Sequence, residues 1–197
     1  MTTELEAKWL DIDPDAIREL LGLIGADRIY PETFMRRKNF DYPDLRLEKI
    51  GGWARVRDEG HRVTMSYKQL NDRTLHGTKE VEVVVDSFDK ACEFLIDLGL
   101  VAKAYQETKR ELWKAGDVEV SIDTWPWIPP FVELEAPDER TLTTAAEELG
   151  LSMADALHGS VEVAYKKYFD VTDKEIDSWP EIRFIEPPPP VAAKRRT

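Results

Sequence analysis

The sequence predicts an α+β domain in which helices pack outside an antiparallel β-barrel or strongly curled sheet. Three observations carry this: eight or so segments of period-two alternation, turn residues between them, and helical apolar spacing confined to stretches that separate groups of strands. Glu4-Leu5-Glu6-Ala7-Lys8-Trp9 alternates charged with apolar and opens the series. Asp13-Pro14 then starts a helix, with Pro at the first helical position, Ile17, Leu20, Leu21 and Ile24 at helical spacing and Gly25 as the stop. Extended segments follow at 28–42, 53–58, 62–70 and 78–86. Ser87 caps a second helix, whose Phe88, Ala91, Cys92, Leu95 and Ile96 share a face and which Gly99 ends. Segments 104–114 and 118–124 read as a hairpin around Ala115-Gly116-Asp117, and a Pro-containing turn leads into Phe131-Val132-Glu133-Leu134-Glu135. Helical spacing returns from Asp138 to Gly150 and again over 160–169. We read residues 1–185 as one domain, and residues 186–197, with four consecutive prolines and a basic end, as a disordered or extended tail.

Composition narrows the function classes. Of 197 residues, 39 are acidic and 27 basic, for a net charge of −12, which argues against a protein that grips nucleic acid by neutralising phosphates. The sequence holds no apolar run of about 18 residues and no basic-then-apolar leader, so it reads as cytoplasmic with no membrane partner. The lone Cys92 has nothing to pair with, and three His plus one Cys at no metal-ligand spacing argue against zinc. Any metal would be a hard cation held by carboxylates.

Several strands place charged residues two apart, on one face: Glu4, Glu6 and Lys8; Arg55 and Arg57; Glu80 and Glu82; Glu133 and Glu135. Two arrangements satisfy this alternation. Either the charged face looks at water over an apolar core, or the sheet closes on its charged face and helices cover the apolar one. A charged lumen must be wet, internally paired or filled by a ligand of matching charge. A polyphosphate with divalent cations needs both halves: Lys and Arg for phosphoryl oxygens, Glu pairs for Mg²⁺ or Mn²⁺.

These residues also resemble a known family. Glu4-Leu5-Glu6-Ala7-Lys8 is similar to the ExExK signature of the CYTH superfamily, the triphosphate tunnel metalloenzymes, which includes class IV adenylyl cyclases, thiamine triphosphatases and inorganic triphosphatases. The resemblance continues in order through Phe40-Asp41-Tyr42-Pro43-Asp44, Trp53-Ala54-Arg55-Val56-Arg57, Tyr67-Lys68, Glu80 and Glu82, Arg110 with Trp113, Asp123, and Phe131 to Glu135, covering roughly residues 1 to 170. It implies an eight-stranded antiparallel tunnel that binds a triphosphate-containing small molecule and one or two divalent metals, Mg²⁺ or Mn²⁺. By position, Glu4, Glu6, Glu133 and Glu135 would be metal ligands, with Glu80 and Glu82 as helpers. Lys8, Arg55, Arg57, Lys68 and Arg110 would contact phosphate, Asp123 would orient a basic residue, and Lys68 would assist the attacking water. The chain departs from the pattern at Thr78 and Thr108, where members often carry a basic residue; Lys79 and Lys109 are each displaced by one, which reverses a strand side chain's direction. Lys79 is therefore left out, while Lys109 is kept as a further phosphate contact to be tested. The implied activity is triphosphate hydrolysis, with class IV-type cyclisation of ATP and a non-catalytic polyphosphate or nucleotide sensor as alternatives. A homodimer is compatible with such folds.

Other features read more plainly. Trp125-Pro126-Trp127-Ile128-Pro129-Pro130 suits a rigid loop packed at a barrel end better than a stacking platform. Met35-Arg36-Arg37-Lys38 reads as a solvated basic face, with guarding of a tunnel mouth as its alternative. His61, His76 and His158 read as satisfied or solvent-facing.

Overall fold

The computed structural model describes residues 2–70 and 78–196; within its strands, the side chains of residues 2–4, 70 and 78 are not described. In chain order the elements are β1 Thr2–Trp9, α1 Pro14–Leu23, β2 Asp27–Asp41, β3 Gly52–Asp58, β4 Val63–Leu70, β5 Thr78–Val85, α2 Phe88–Asp97, β6 Val101–Ala115, β7 Val118–Thr124, β8 Phe131–Ala136, α3 Glu139–Glu148, α4 Glu162–Tyr168, α5 Asp173–Asp177, β9 Glu181–Ile182 and α6 Pro189–Ala192. The helix starts follow from side-chain caps: Asp13 Oδ1 accepts from the backbone N–H of Asp15, Ser87 Oγ from Lys90 and Asp138 Oδ1 from Thr141.

The strands run in the order β2-β3-β4-β5-β1-β8-β7-β6-β9, and β2 pairs with β6 as well, from Asp27↔Lys114 to Asp41↔Val101, so the two ends of the order meet. All the ring pairings are antiparallel; β9 adds a short parallel pairing at Tyr105 and Gln106. The weakest seam is β1–β5, held at Thr2↔Glu80, Thr3↔Lys79 and Glu4↔Thr78. Past it, the freed edge of β1 bonds Leu157 instead: Lys8 and Leu157 exchange backbone hydrogen bonds of 2.9 Å. That edge is thus covered rather than left open for pairing.

The barrel closes on its charged face. Ala7, Trp9, Val120, Ile122, Val132 and Leu134 point outward and form a core with Ile17 and Leu21 of α1 and Leu142, Ala145 and Ala146 of α3. Phe40, Ala54 and Val56 pack likewise under Phe88, Ala91, Cys92 and Leu95 of α2. A third core at one end joins Trp125, Ile128 and Phe131 to Tyr165, Phe169, Ile176, Ile182 and Val191, which places the Trp125–Pro130 loop as packing at the barrel end. Amphipathic helices on the apolar outer face leave the inner face to the charged residues.

The last residues differ from the expected loose tail. Pro188 and Pro189 lead into α6, Val191 is buried, and the backbone N–H groups of Asp170 and Arg196 donate to Lys194 and Tyr168 carbonyls at 2.7 and 2.8 Å. Lys194 pairs with Glu175 and Arg196 with Asp170. Proline fixes φ for a helix's first turn, and Val191 together with these backbone and ionic contacts docks a segment that composition reads as unstructured.

At the start of β3 a Cβ on Gly52 would stand 2.7 Å from Tyr67 Oη. Gly52→Ala is expected to lower stability by about 1 to 2 kcal/mol through overpacking. A urea midpoint matching wild type would show that the Tyr67 ring moves aside freely.

Candidate active site

The barrel encloses a cavity of approximately 680 Å³, lined on one side by β1, β8 and β7 and on the other by β2, β3, β4 and β6. Strand register builds the first wall from two cross-strand rows. Lys8 stands opposite Glu133, which stands opposite Ser121; one step along, Glu6 stands opposite Glu135, which stands opposite Glu119. Lys8 is almost fully buried, with Nζ 2.9 Å from Glu6 Oε1 and 3.1 Å from Glu133 Oε2. Burial works against its ammonium, but the Glu133 and Glu6 carboxylates outweigh burial and hold its pKa above the usual value. Glu133 shows the converse: burial disfavours its charge, yet Lys8 and Arg110 bring it down to about 2. Among the described residues Glu135 has no ion-pair partner, and Lys68 offsets its environment only in part. Burial first, then repulsion from Glu133 and Glu119, pushes it up to about 7.

The second wall is basic and partly self-neutralised. Arg55 is buried, with Nη2 3.2 Å from Glu80 Oε1 and 3.7 Å from Glu82 Oε2; burial and the adjacent Arg57 pull it down to about 10. Arg57 donates through Nε to Glu59 Oε1 at 2.7 Å, and Glu59 also accepts from Arg62. Lys68 Nζ lies 2.7 Å from Glu80 Oε2. Arg110 grips Asp123 through two parallel bonds of 2.7 and 2.6 Å, and its Nη2 reaches Glu133 Oε1 at 3.5 Å. Arg37 joins this wall from β2, opposite Arg57, with Nη2 donating to Thr108 Oγ1 at 3.0 Å and its guanidinium 4.6 Å above the Trp125 ring.

Of the residues singled out in the sequence, Glu6, Lys8, Arg55, Arg57, Lys68 and Arg110 all line the cavity, as do Glu80, Glu82, Asp123, Glu133 and Glu135. The Glu4 side chain lies outside the described residues; its backbone pairs with Thr78. Lys109 is corrected: it points away from the lumen, with Nζ on Glu32 Oε1 at 3.1 Å and near the Phe184 ring, because Arg110 takes the inward position and strand neighbours alternate. Lining residues that the sequence reading left out of the site include Arg37, Glu59 and Glu119. Period two within Met35–Lys38 would have turned Arg37 to one face and Arg36 and Lys38 to the other, and register with Glu135 would have found Glu119. Glu59 lies in the turn after β3, where alternation has no meaning.

The acidic wall offers only carboxylate oxygens, the donor chemistry of a hard divalent cation, and the repulsion that raises Glu135 is what such an ion would relieve. Among the described residues no three of these carboxylates converge on one point, Glu6 and Glu133 being turned to Lys8. The residues therefore fit such a cation in chemistry, with side-chain rotation needed to close on it. No helix among the described residues is long and apolar enough to cross a membrane.

A β-barrel enclosing acidic and basic walls defines a tunnel protein. Residues 3–161 match the CYTH domain model, and the chain belongs to that family. The family comprises triphosphatases and adenylyl cyclases acting on triphosphate substrates, generally with a divalent metal. No curated protein gives a match. Among solved structures, a Vibrio parahaemolyticus protein provisionally described as an adenylate cyclase is similar at 18% identity and TM-score 0.72, over 84% of this chain and 98% of that one. PH1012 from Pyrococcus horikoshii OT3 is similar at 18% identity and TM-score 0.68, over 82% and 98%. Hippeastrum HpAC1, described as showing a dominant triphosphatase activity, is similar at 15% identity and TM-score 0.59, over 85% and 96%. At these identities the likeness establishes the shared fold.

Proposed function

We propose that the chain is a divalent-metal-dependent hydrolase of a triphosphate, inorganic or organic, working inside the tunnel. The observation that carries this reading is one cavity with a row of carboxylates on one wall and a cluster of guanidinium groups on the other. Glu6, Glu133 and Glu135, with Glu4, would hold Mg²⁺ or Mn²⁺, which supplies charge neutralisation on the phosphoryl oxygens. Arg55, Arg57, Lys68 and Arg110 bind the remaining oxygens, and Lys8 sets the charge balance of the acidic wall. Asp123 and Glu59 fix the planes of Arg110 and Arg57, so that donors are aimed before the substrate arrives. Lys68, held at the cavity wall by Glu80, orients the attacking water. The water oxygen bonds to the terminal phosphorus as the bridging P–O bond breaks, its protons passing to solvent and leaving group. Hydrolysis asks only for charge stabilisation and a placed water. A cyclase would also need groups that seat the base and hold a ribose hydroxyl in line.

The test is product analysis with Mg²⁺ or Mn²⁺, offering inorganic triphosphate, thiamine triphosphate and ATP and scoring orthophosphate, pyrophosphate and cyclic AMP separately. Orthophosphate release is expected, falling by roughly 10²-fold or more in Glu6→Ala. Cyclic AMP with equal pyrophosphate would make the protein a cyclase, and tight binding without product would make it a sensor.

A further inference from the structure

Three of the lumen's guanidinium groups are already neutralised by a carboxylate: Arg55 by Glu80, Arg57 by Glu59 and Arg110 by Asp123. Arg37 is different. Among the described residues it has no carboxylate within ion-pair distance; its contacts are the Thr108 hydroxyl at 3.0 Å and the face of Trp125 at 4.6 Å. Among the described residues its Nε is buried and has no acceptor, and the same holds for the Nε of Arg55. The hydroxyl and the indole fix the plane of the Arg37 guanidinium but leave its donor edge unmet.

Burial first, then Arg55, Arg57 and Arg110, hold the pKa of Arg37 well below the usual value, so its protein surroundings work against this cation. Stacking on Trp125 explains how Arg37 is oriented, but a purely structural Arg would not be placed among three like charges with a buried donor unused. An oxyanion with several acceptors, set between β2 and β3, would offer partners to these donors and reverse the sign of the local field. A phosphoryl group has that geometry and charge.

We infer that Arg37 is a substrate-binding residue, which with the unmet edge of Arg55 forms a subsite for one phosphoryl group of the polyphosphate chain. The inference rests on the triphosphate reading above and adds a residue to it. The Arg37→Gln protein is titrated calorimetrically with inorganic triphosphate, once with Mg²⁺ and once with EDTA, beside wild type, and the Tm of each ligand-free protein is measured. Affinity is expected to fall about tenfold or more, the loss of a charge-assisted contact, with Tm unchanged or raised because a repelled, desolvated cation has gone. Arg37→Lys, which keeps the charge without the fork, is expected to recover affinity only in part, and carries the comparison if the Gln variant does not fold.

Wild type that binds triphosphate while Arg37→Gln binds within twofold would overturn the inference and leave the hydrolase reading standing. Lost affinity together with a Tm several degrees lower, both restored by Lys, would make Arg37 structural. Wild type that binds no triphosphate in either condition would remove the hydrolase reading and this subsite with it.

Discussion

Lys8→Met is expected to destabilise the protein by about 3 to 5 kcal/mol at pH 8, the usual consequence of taking one partner from a buried ion pair. Lys8 is 3% exposed and bridges Glu6 and Glu133, on its own strand and the next. Without it the two carboxylates face each other across a part-buried wall, and among the described residues Glu133 keeps the longer contact to Arg110 at 3.5 Å and the more distant charge of Lys68. The pH dependence follows from Glu133, whose pKa is brought from the ordinary 4.5 down to about 2. A carboxylate depressed in the folded state contributes stability that is present above its unfolded pKa and lost as pH falls toward its folded one. The gap between wild type and Lys8→Met should therefore be widest above pH 4.5 and shrink as pH drops toward 2. Urea unfolding at pH 8 and pH 3.5 reads both. A difference under 1 kcal/mol at pH 8 would mean that the acidic wall faces open water and that Lys8 is dispensable to it.

The same pair shows why much of the site was legible. Charged residues two apart on a strand must share a face, so Glu6 with Lys8, Arg55 with Arg57 and Glu133 with Glu135 were assembled from spacing alone. Which face closed inward was not contained in any single strand. It is decided by where the amphipathic helices dock, and only the ordered motif series argued for the charged side. Arg37 was hidden for a related reason: in a run of three basic residues the inward one is not marked by composition. Lys109 failed in the opposite sense, since its displacement by one position already implied an outward side chain. Glu119 needed the β7–β8 register, which depends on a turn geometry that one sequence does not specify. The C-terminal segment shows its docking only in the structure, because its run of prolines and basic end give composition no sign that Val191 is buried.

Glu135→Gln is expected to stabilise the metal-free protein at pH 8 by about 2 kcal/mol and to leave it unchanged at pH 4. Glu135 is pushed up to about 7, by burial first and then by Glu133 and Glu119. Between pH 4.5 and 7 the folded protein therefore holds a proton that the unfolded chain has released, and stability falls as pH rises through that window. The full shift corresponds to about 3 kcal/mol, reduced here because the carboxylate is only part-buried and solvent screens it. The amide has no charge to repel and carries no penalty at either pH. A divalent cation changes the sign for wild type alone. If Glu6, Glu133 and Glu135 hold Mn²⁺, the ion binds the ionised form, so adding it above pH 7 should raise the wild-type Tm and raise that of Glu135→Gln much less. Thermal unfolding of both proteins at pH 4 and pH 8, with EDTA and with Mn²⁺, separates the possibilities. Equal stabilities at pH 8 in EDTA would show that repulsion within the acidic row is already relieved by solvent. A Mn²⁺ shift of the same size in both proteins would move the cation away from Glu135, leaving Glu133 and the β1 carboxylates as the place to look for it.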